Sequence, residues 1–292
     1  MNREPAELVA DDGRALNATW FMPRTTPRGV VVLAPAMATP STFYHPFATF
    51  LAHEGYLVLT FDYRGVEPGA DVRTEVADLR TWARDAAVAL EAADARRDQG
   101  GSRLPLTWVG HSFGGQVLGF VDHTLIDQIV LVATGQGHWR HNPPRLRRVV
   151  RIFWHLVVPL SVVLAGYYPG RRLRFLADLP APAMMQWRRW CLHPEYWMAD
   201  VPDIRERHAE IHAPVTAIHL LDDELVTEAG ITALLDQLTS APTELLRLSP
   251  ADLEAPRVGH HGLFVSTFTA AWREVVLPHL AVAAPSARGD AA

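Results

Sequence analysis

Apolar and polar positions along the chain follow two alternating patterns. Gly29–Ala34 (G-V-V-V-L-A), residues 56–63 (Y-L-V-L-T-F-D-Y), residues 105–109 and residues 128–133 (Q-I-V-L-V-A) are apolar runs with no polar face, as expected of strands covered on both sides. Between the first two, Phe47, Phe50 and Leu51 follow Pro46 at helical spacing, and Glu54-Gly55 closes that helix. Val76, Leu79, Ala83, Ala86 and Leu90 predict an amphipathic crossover helix, with Glu75, Asp78, Arg84 and Arg96 off its stripe. Residues 116–121 read as the start of another packed helix. Ahead of all these, residues 7–10 and 15–21 flank Asp11-Asp12-Gly13, a hairpin signal that predicts two strands at the sheet edge. The alternation over residues 1–135 is that of a mostly parallel α/β sheet, whose ligands collect at the C-terminal strand ends.

From residue 136 to residue 201 the alternation stops. This segment is rich in Trp, Arg, Pro and Met, among them Trp139, Trp154, Trp187, Trp190 and Trp197, and reads as a helical insertion over the site. Strand-like patterning resumes at residues 215–221 and Thr243–Leu248, separated by a helix carrying Ile231, Leu234, Leu235 and Leu238. Phe264, Phe268, Trp272 and Val276 predict a last helix. The expected organisation is a core of residues 1–135 and 202–280, a cap of residues 136–201, and a disordered tail at residues 281–292.

At 292 residues the chain can bury roughly three quarters of its unfolded surface, enough for one large domain without staples. The single cysteine, Cys191, excludes an internal disulfide framework and fits a reducing compartment. Net charge is −5, and all 27 basic residues are arginine, which implies neither a nucleic-acid partner nor a polyanionic substrate. The polar start, Met1-Asn2-Arg3-Glu4-Pro5, has no apolar signal core, so a cytoplasmic location is expected. Residues 152–168 are the most apolar stretch. They are interrupted by His155, Pro159, Ser161 and Gly166 and fall short of the ~20 residues of a spanning helix, but arginines on both sides allow contact with a membrane surface.

Between a predicted strand and helix, Gly110-His111-Ser112-Phe113-Gly114 fits the G-x-S-x-G nucleophile elbow, in which glycines let strand and helix approach and a strained serine stands exposed. A serine needs a base, and the base needs a carboxylate to fix its tautomer. Asp222 and Asp223 follow one strand and His260 and His261 follow the next, giving the order serine, acid, histidine. Asp223 is favoured because Leu225-Val226 then pack its loop, and His260 because it follows Gly259; Asp222 and His261 remain open alternatives. Backbone N–H groups of Met37 and Phe113 are the expected oxyanion donors. His138-x-x-His141 and His208-x-x-x-His212 lack the glutamate of H-E-x-x-H, so no metal is expected, and no phosphate-binding glycine loop or other cofactor motif is present.

These stretches resemble the α/β-hydrolase superfamily, and more narrowly a bacterial group of α/β hydrolases. The resemblance rests on V-V-L-A-P-A-M at 31–37, G-Y-L-V-L-T-F-D-Y-R-G at 55–65, G-H-S-F-G-G-Q at 110–116, D-D-E at 222–224 and V-G-H-H-G-L-F at 258–264. It implies Ser112 as nucleophile, Asp223 as acid and His260 as base, with a cap inserted after the strand that follows the elbow helix. Pro35-Ala36 departs from the His-Gly of many members, and R-G-V-E-P-G at 64–69 from the usual R-G-x-G-x-S turn. The expected activity is serine-dependent cleavage of a carboxylic ester or related acyl bond in a small, apolar or acyl-bearing substrate. The alternatives are an acyltransferase or thioesterase on the same triad, or a silent ligand-binding protein of the same fold.

Overall fold

The computed structural model describes residues 2–99 and 102–282. Eight strands form its main sheet: β1 (Asn2–Pro5), β2 (Ala18–Met22), β3 (Gly29–Ala34), β4 (Tyr56–Phe61), β5 (Leu106–His111), β6 (Gln128–Val132), β7 (Val215–Leu220) and β8 (Thr243–Leu248). Their spatial order is β1-β2-β4-β3-β5-β6-β7-β8. β1 and β2 run antiparallel, as do β2 and β4, and the remaining neighbours are parallel. Every residue of β3, β4, β5 and β7 is buried, which is why these strands carry no polar face. This is the α/β-hydrolase fold.

Helices cover both faces. On one lies α1 (His45–His53), whose Phe47, Phe50 and Leu51 pack with Trp272 and Val276 of the last helical segment. On the other lies α2 (Leu79–Ala95), started by Asp78, which accepts from Thr81 N–H at 2.8 Å, and buried through Trp82, Ala86 and Leu90. Val76 lies before that cap and is 82% exposed, so it is not part of the stripe. The predicted hairpin forms as a separate ribbon of Leu8–Val9 with Ala15–Leu16, while residues 18–21 of its second strand continue into the main sheet as β2; beyond β2 the edge is β1, a polar strand unmarked in the pattern. After Ser112 the helix α3 (Phe113–Gln116) lasts one turn and gives way to a 3-10 turn at Leu118–Phe120. At Gly119 this turn runs so close to the buried His208 that an added Cβ would stand 2.7 Å from its ring.

Between β6 and β7 the chain is mainly helical. One continuous helix runs over Pro144–Ala165, with a π-helical turn at Phe153–Val157, and Ala181–Leu192 packs beneath it. Tyr167–Tyr168 and Leu179–Pro180 pair as a short antiparallel ribbon, a feature absent from the sequence reading. Of the expected tail, residues 283–292 lie outside the described residues.

Candidate active site

β5 ends at His111 and α3 begins at Phe113, so Ser112 makes the turn alone. Its backbone sits at φ 52°, ψ −114°, a conformation that a residue with a side chain enters only under strain. So sharp a reversal brings strand and helix into contact. A Cβ on Gly114 would stand 2.0 Å from Ala34 O, and one on Gly110 would stand 2.6 Å from Gly115 Cα. Trp108 Nε1–H donates to Gly114 O at 2.9 Å, and Thr134 Oγ1 lies 3.1 Å from Ser112 O, which fixes the turn from both sides. Ser112 is left half-buried in the wall of a cavity of about 420 Å³.

The acid loop follows β7. Asp223 Oδ1 accepts from Leu225 N–H at 2.7 Å and Val226 N–H at 3.0 Å, and Oδ2 lies 2.8 Å from His260 Nδ1. Both side chains are buried. A carboxylate at Nδ1 holds the proton there and leaves Nε2 as the ring's acceptor. Asp222 does something else: its two oxygens accept Val258 N–H at 2.8 Å and Gly259 N–H at 3.0 Å. Glu224 Oε2 accepts His260 N–H at 3.1 Å. Three consecutive acids therefore hold one histidine loop, and only the middle one reaches the ring of His260. The acidic run was the available signal for this clamp, which pattern alone did not resolve.

His260 and Ser112 line the same cavity, as do Met37, Phe113 and His261. Among the described residues no hydrogen bond joins Ser112 Oγ to His260, a looseness common before substrate is bound. The N–H groups of Met37 and Phe113 have no acceptor among the described residues, whereas Ala36 N–H donates to Tyr44 Oη at 2.9 Å. Tyr44 Oη is in turn 2.7 Å from His111 Nδ1, and His111 Nε2 is 3.0 Å from His260 O. Burial, with His260 and His261 nearby, holds His111 well below the usual histidine range. Burial, with His260 nearby, pushes His261 down to about 4; its Nε2 lies 3.2 Å from Thr39 Oγ1, and among the described residues no hydrogen bond joins it to Asp223.

The rest of the cavity wall is largely apolar and comes from the helical segment, with Leu146, Val150, Phe153, Trp154, Val157 and Trp187 among its lining. Its ionisable groups are His141, His260, His261 and Cys191. Burial pushes the Cys191 thiol well up, so it stays protonated. Of the other two histidine pairs, His138 and His141 keep their rings 5.7 Å apart, whereas His208 and His212 diverge. His208 is buried with Nδ1 2.9 Å from Gln237 Oε1, while His212 lies beyond the end of the helix Ile204–Ala209 and is exposed, so the two share no helix face. Among the described residues no group of three or more His, Cys, Asp or Glu is arranged to hold a metal ion.

Residues 25–249 match the family described as serine aminopeptidase, S33. The chain belongs to that family. This S33 protein is a hydrolase of the α/β-hydrolase superfamily. It is 26% identical over 232 residues, 77% of this chain and 81% of the relative, to a monoacylglycerol lipase of Mycolicibacterium smegmatis. Its fold is similar to a soluble variant of monoglyceride lipase from Saccharomyces cerevisiae in complex with a substrate analog, with a TM-score of 0.63 and 17% identity over 92% of this chain and 94% of that one. It is also similar to the esterase domain of a Rhodothermus marinus protein, with a TM-score of 0.57 and 16% identity over 94% and 96% of the two chains.

Proposed function

We propose that this S33 hydrolase cleaves carboxylic esters of single acyl chains, monoacylglycerols among them, through an acyl-enzyme on Ser112. The observation that carries the reading is the His260–Asp223 pair on the same cavity wall as the strained Ser112 turn. Ser112 Oγ attacks the ester carbonyl as its proton passes to His260 Nε2. The carbonyl oxygen, now negative, is received by the N–H groups of Met37 and Phe113, while Asp223 stabilises the imidazolium. Collapse of the intermediate expels the alcohol, which takes the proton from His260. Water, deprotonated by the same ring, then releases the acid and regenerates Ser112.

Residues 136–201 act as the cap that shelters the acyl chain. Their apolar side chains suit a hydrocarbon, and the likeness to the mycobacterial monoacylglycerol lipase supports the same substrate class. An aminopeptidase would need a carboxylate to receive a free α-ammonium, and the cavity's ionisable groups are three histidines and a protonated thiol. Comparing kcat/KM for p-nitrophenyl esters of rising chain length, a monoacylglycerol and aminoacyl p-nitroanilides tests the assignment. Medium-chain esters and the monoacylglycerol should exceed acetate; faster turnover of the anilides would overturn it.

The cap also supplies a surface suited to lipid. Along Pro144–Ala165, Val149, Ile152, Leu156, Leu160, Val163 and Leu164 are all at least half exposed and fall on one stripe, opposite the buried Val150, Trp154 and Val158. Exposed Arg145, Arg147 and Arg148 flank it on one side, and Arg171, Arg172 and Arg174 on the other. This stripe rests on an anionic bilayer surface at the cytoplasmic side, where the single buried Cys191 stays reduced. Anionic vesicles should retain the protein at low salt and lose it with Leu156→Ser, Leu160→Ser and Leu164→Ser combined. No retention of the wild type would sink the idea.

A further inference from the structure

The loop that carries Met37 and the loop that carries His260 approach from opposite sides of β5, and a buried hydrogen-bonded path connects them. Its polarity is forced from one end. His260 O is a carbonyl and only accepts, so His111 Nε2, 3.0 Å away, must carry a proton. His111 is fully enclosed and held neutral, so its other nitrogen, Nδ1, has no proton and must accept. Tyr44 Oη, 2.7 Å from Nδ1, therefore donates there, and its free lone pair receives Ala36 N–H at 2.9 Å. Every donor along the path points towards His260, an arrangement in which each bond strengthens the next.

We propose that Tyr44 and His111 are positioning residues that set the oxyanion loop against the His260 loop. The proposal rests on the serine-hydrolase reading of Ser112 and His260. It explains how the loop at Pro35-Ala36 keeps its shape: proline has no N–H to anchor, so the neighbouring Ala36 N–H is tied to a buried phenol, leaving Met37 N–H free for substrate. At the other end, the bond to His260 O fixes the backbone from which the ring reaches Asp223. Tautomer control matters as well as position. The rings of His111 and His260 have centroids 5.1 Å apart, so a proton on His111 would oppose the imidazolium that forms on His260 during turnover.

A second, looser tie runs in parallel. Thr39 Oγ1 lies 3.3 Å from Met37 O and 3.2 Å from His261 Nε2, so the same two loops meet again at the residue after His260. The Tyr44–His111 path is the shorter-bonded and more deeply buried of the two, and it is the one that contacts the backbone of His260 itself.

The test is the separate measurement of kcat and KM on a p-nitrophenyl ester for wild type, Tyr44→Phe, His111→Asn and His111→Gln, with the downfield imidazole proton of His260 followed by ¹H NMR. Misplacement of reacting groups by about 1 Å costs up to ~100-fold, so Tyr44→Phe and His111→Asn should lose about 10- to 100-fold in kcat with KM within about twofold. A glutamine amide nitrogen stands where Nε2 stood and an asparagine amide where Nδ1 stood, so His111→Gln should keep the tie to His260 and retain more kcat than His111→Asn. The His260 proton signal should shift or broaden in His111→Asn and less in His111→Gln. Because each path bond depends on the next, Tyr44→Phe combined with His111→Asn should fall little below the worse single variant. If Tyr44→Phe does not fold, the Gln and Asn pair decides. Folded variants with wild-type kcat, or Gln and Asn variants that are indistinguishable in kcat and in the NMR signal, would overturn the proposal. Failure of the underlying assignment shows differently, as a wild type with no esterase activity.

Discussion

Ser112 holds its side chain out at the expense of its backbone. At φ 52°, ψ −114° it occupies a conformation costing about 1–3 kcal/mol for a residue with a Cβ. Glycine enters it freely, so Ser112→Gly should melt higher than Ser112→Ala, by about 1 kcal/mol in unfolding free energy, with both inactive. Equal stability of the two would show that the turn is not strained. The neighbouring acids separate by role in the same way. Asp223→Asn leaves the loop nearly intact but removes tautomer control, and should lower kcat by about 10³- to 10⁴-fold. Asp222 accepts two backbone N–H groups and touches no ring, so Asp222→Ala should cost about 1–3 kcal/mol of stability with a smaller loss of kcat. The sequence favours Asp223 through the apolar pair Leu225-Val226 that follows it and leaves Asp222 open. What separates them is direction: after β7 one carboxylate turns towards the backbone of residues 258–259 and the other towards the ring of His260.

Among elements, the approach of β5, α3 and β3 is the tightest constraint on the site. Gly114→Ala places a methyl 2.0 Å from a backbone carbonyl that cannot move without shifting β3, so this variant should fail to fold or lose activity and several degrees in Tm together. Measuring circular dichroism and ester turnover on the same sample checks it; a native, fully active Gly114→Ala would contradict the packing. The inner strands were legible because both their faces are buried. β1 was not, since N-R-E-P has no apolar pattern and joins the sheet through backbone pairing with β2 alone. The cap helix was legible as apolar but not as continuous. Pro159 lacks the N–H that a regular turn requires, and the wider π-helical turn at Phe153–Val157 just before it lets the helix pass through. Tyr44 stood in an unremarkable segment, about seventy positions before the histidine it serves, and only the folding of α1's approach against β5 brings them together.

For the whole molecule, the sheet places serine, acid and histidine loops at one end, and order along the chain was enough to propose them. Burial of uncharged histidines also sets how the protein responds to acid. His208 and His261 are pushed down to about 4, and His111 lies well below its ordinary value, all chiefly by burial. Above the ordinary value of 6.5 neither folded nor unfolded chain binds these protons. Between 6.5 and about 4 the unfolded chain binds them and the folded one does not, so stability falls as pH drops through that window. Urea unfolding at about pH 7.5 and about pH 5.5 should show the loss, and His208→Leu should reduce its slope by one proton's share. Equal stability at both values would contradict the burial of neutral imidazoles.

The most direct measurement of the central claim is fluorophosphonate labelling followed by intact mass, on wild type, Ser112→Ala, His260→Ala and Asp223→Asn. One adduct on wild type, none on folded Ser112→Ala, and greatly slowed labelling of the other two is the predicted result. An adduct that persists in Ser112→Ala, or a folded wild type that does not label at all, would contradict a serine nucleophile activated by His260 and Asp223.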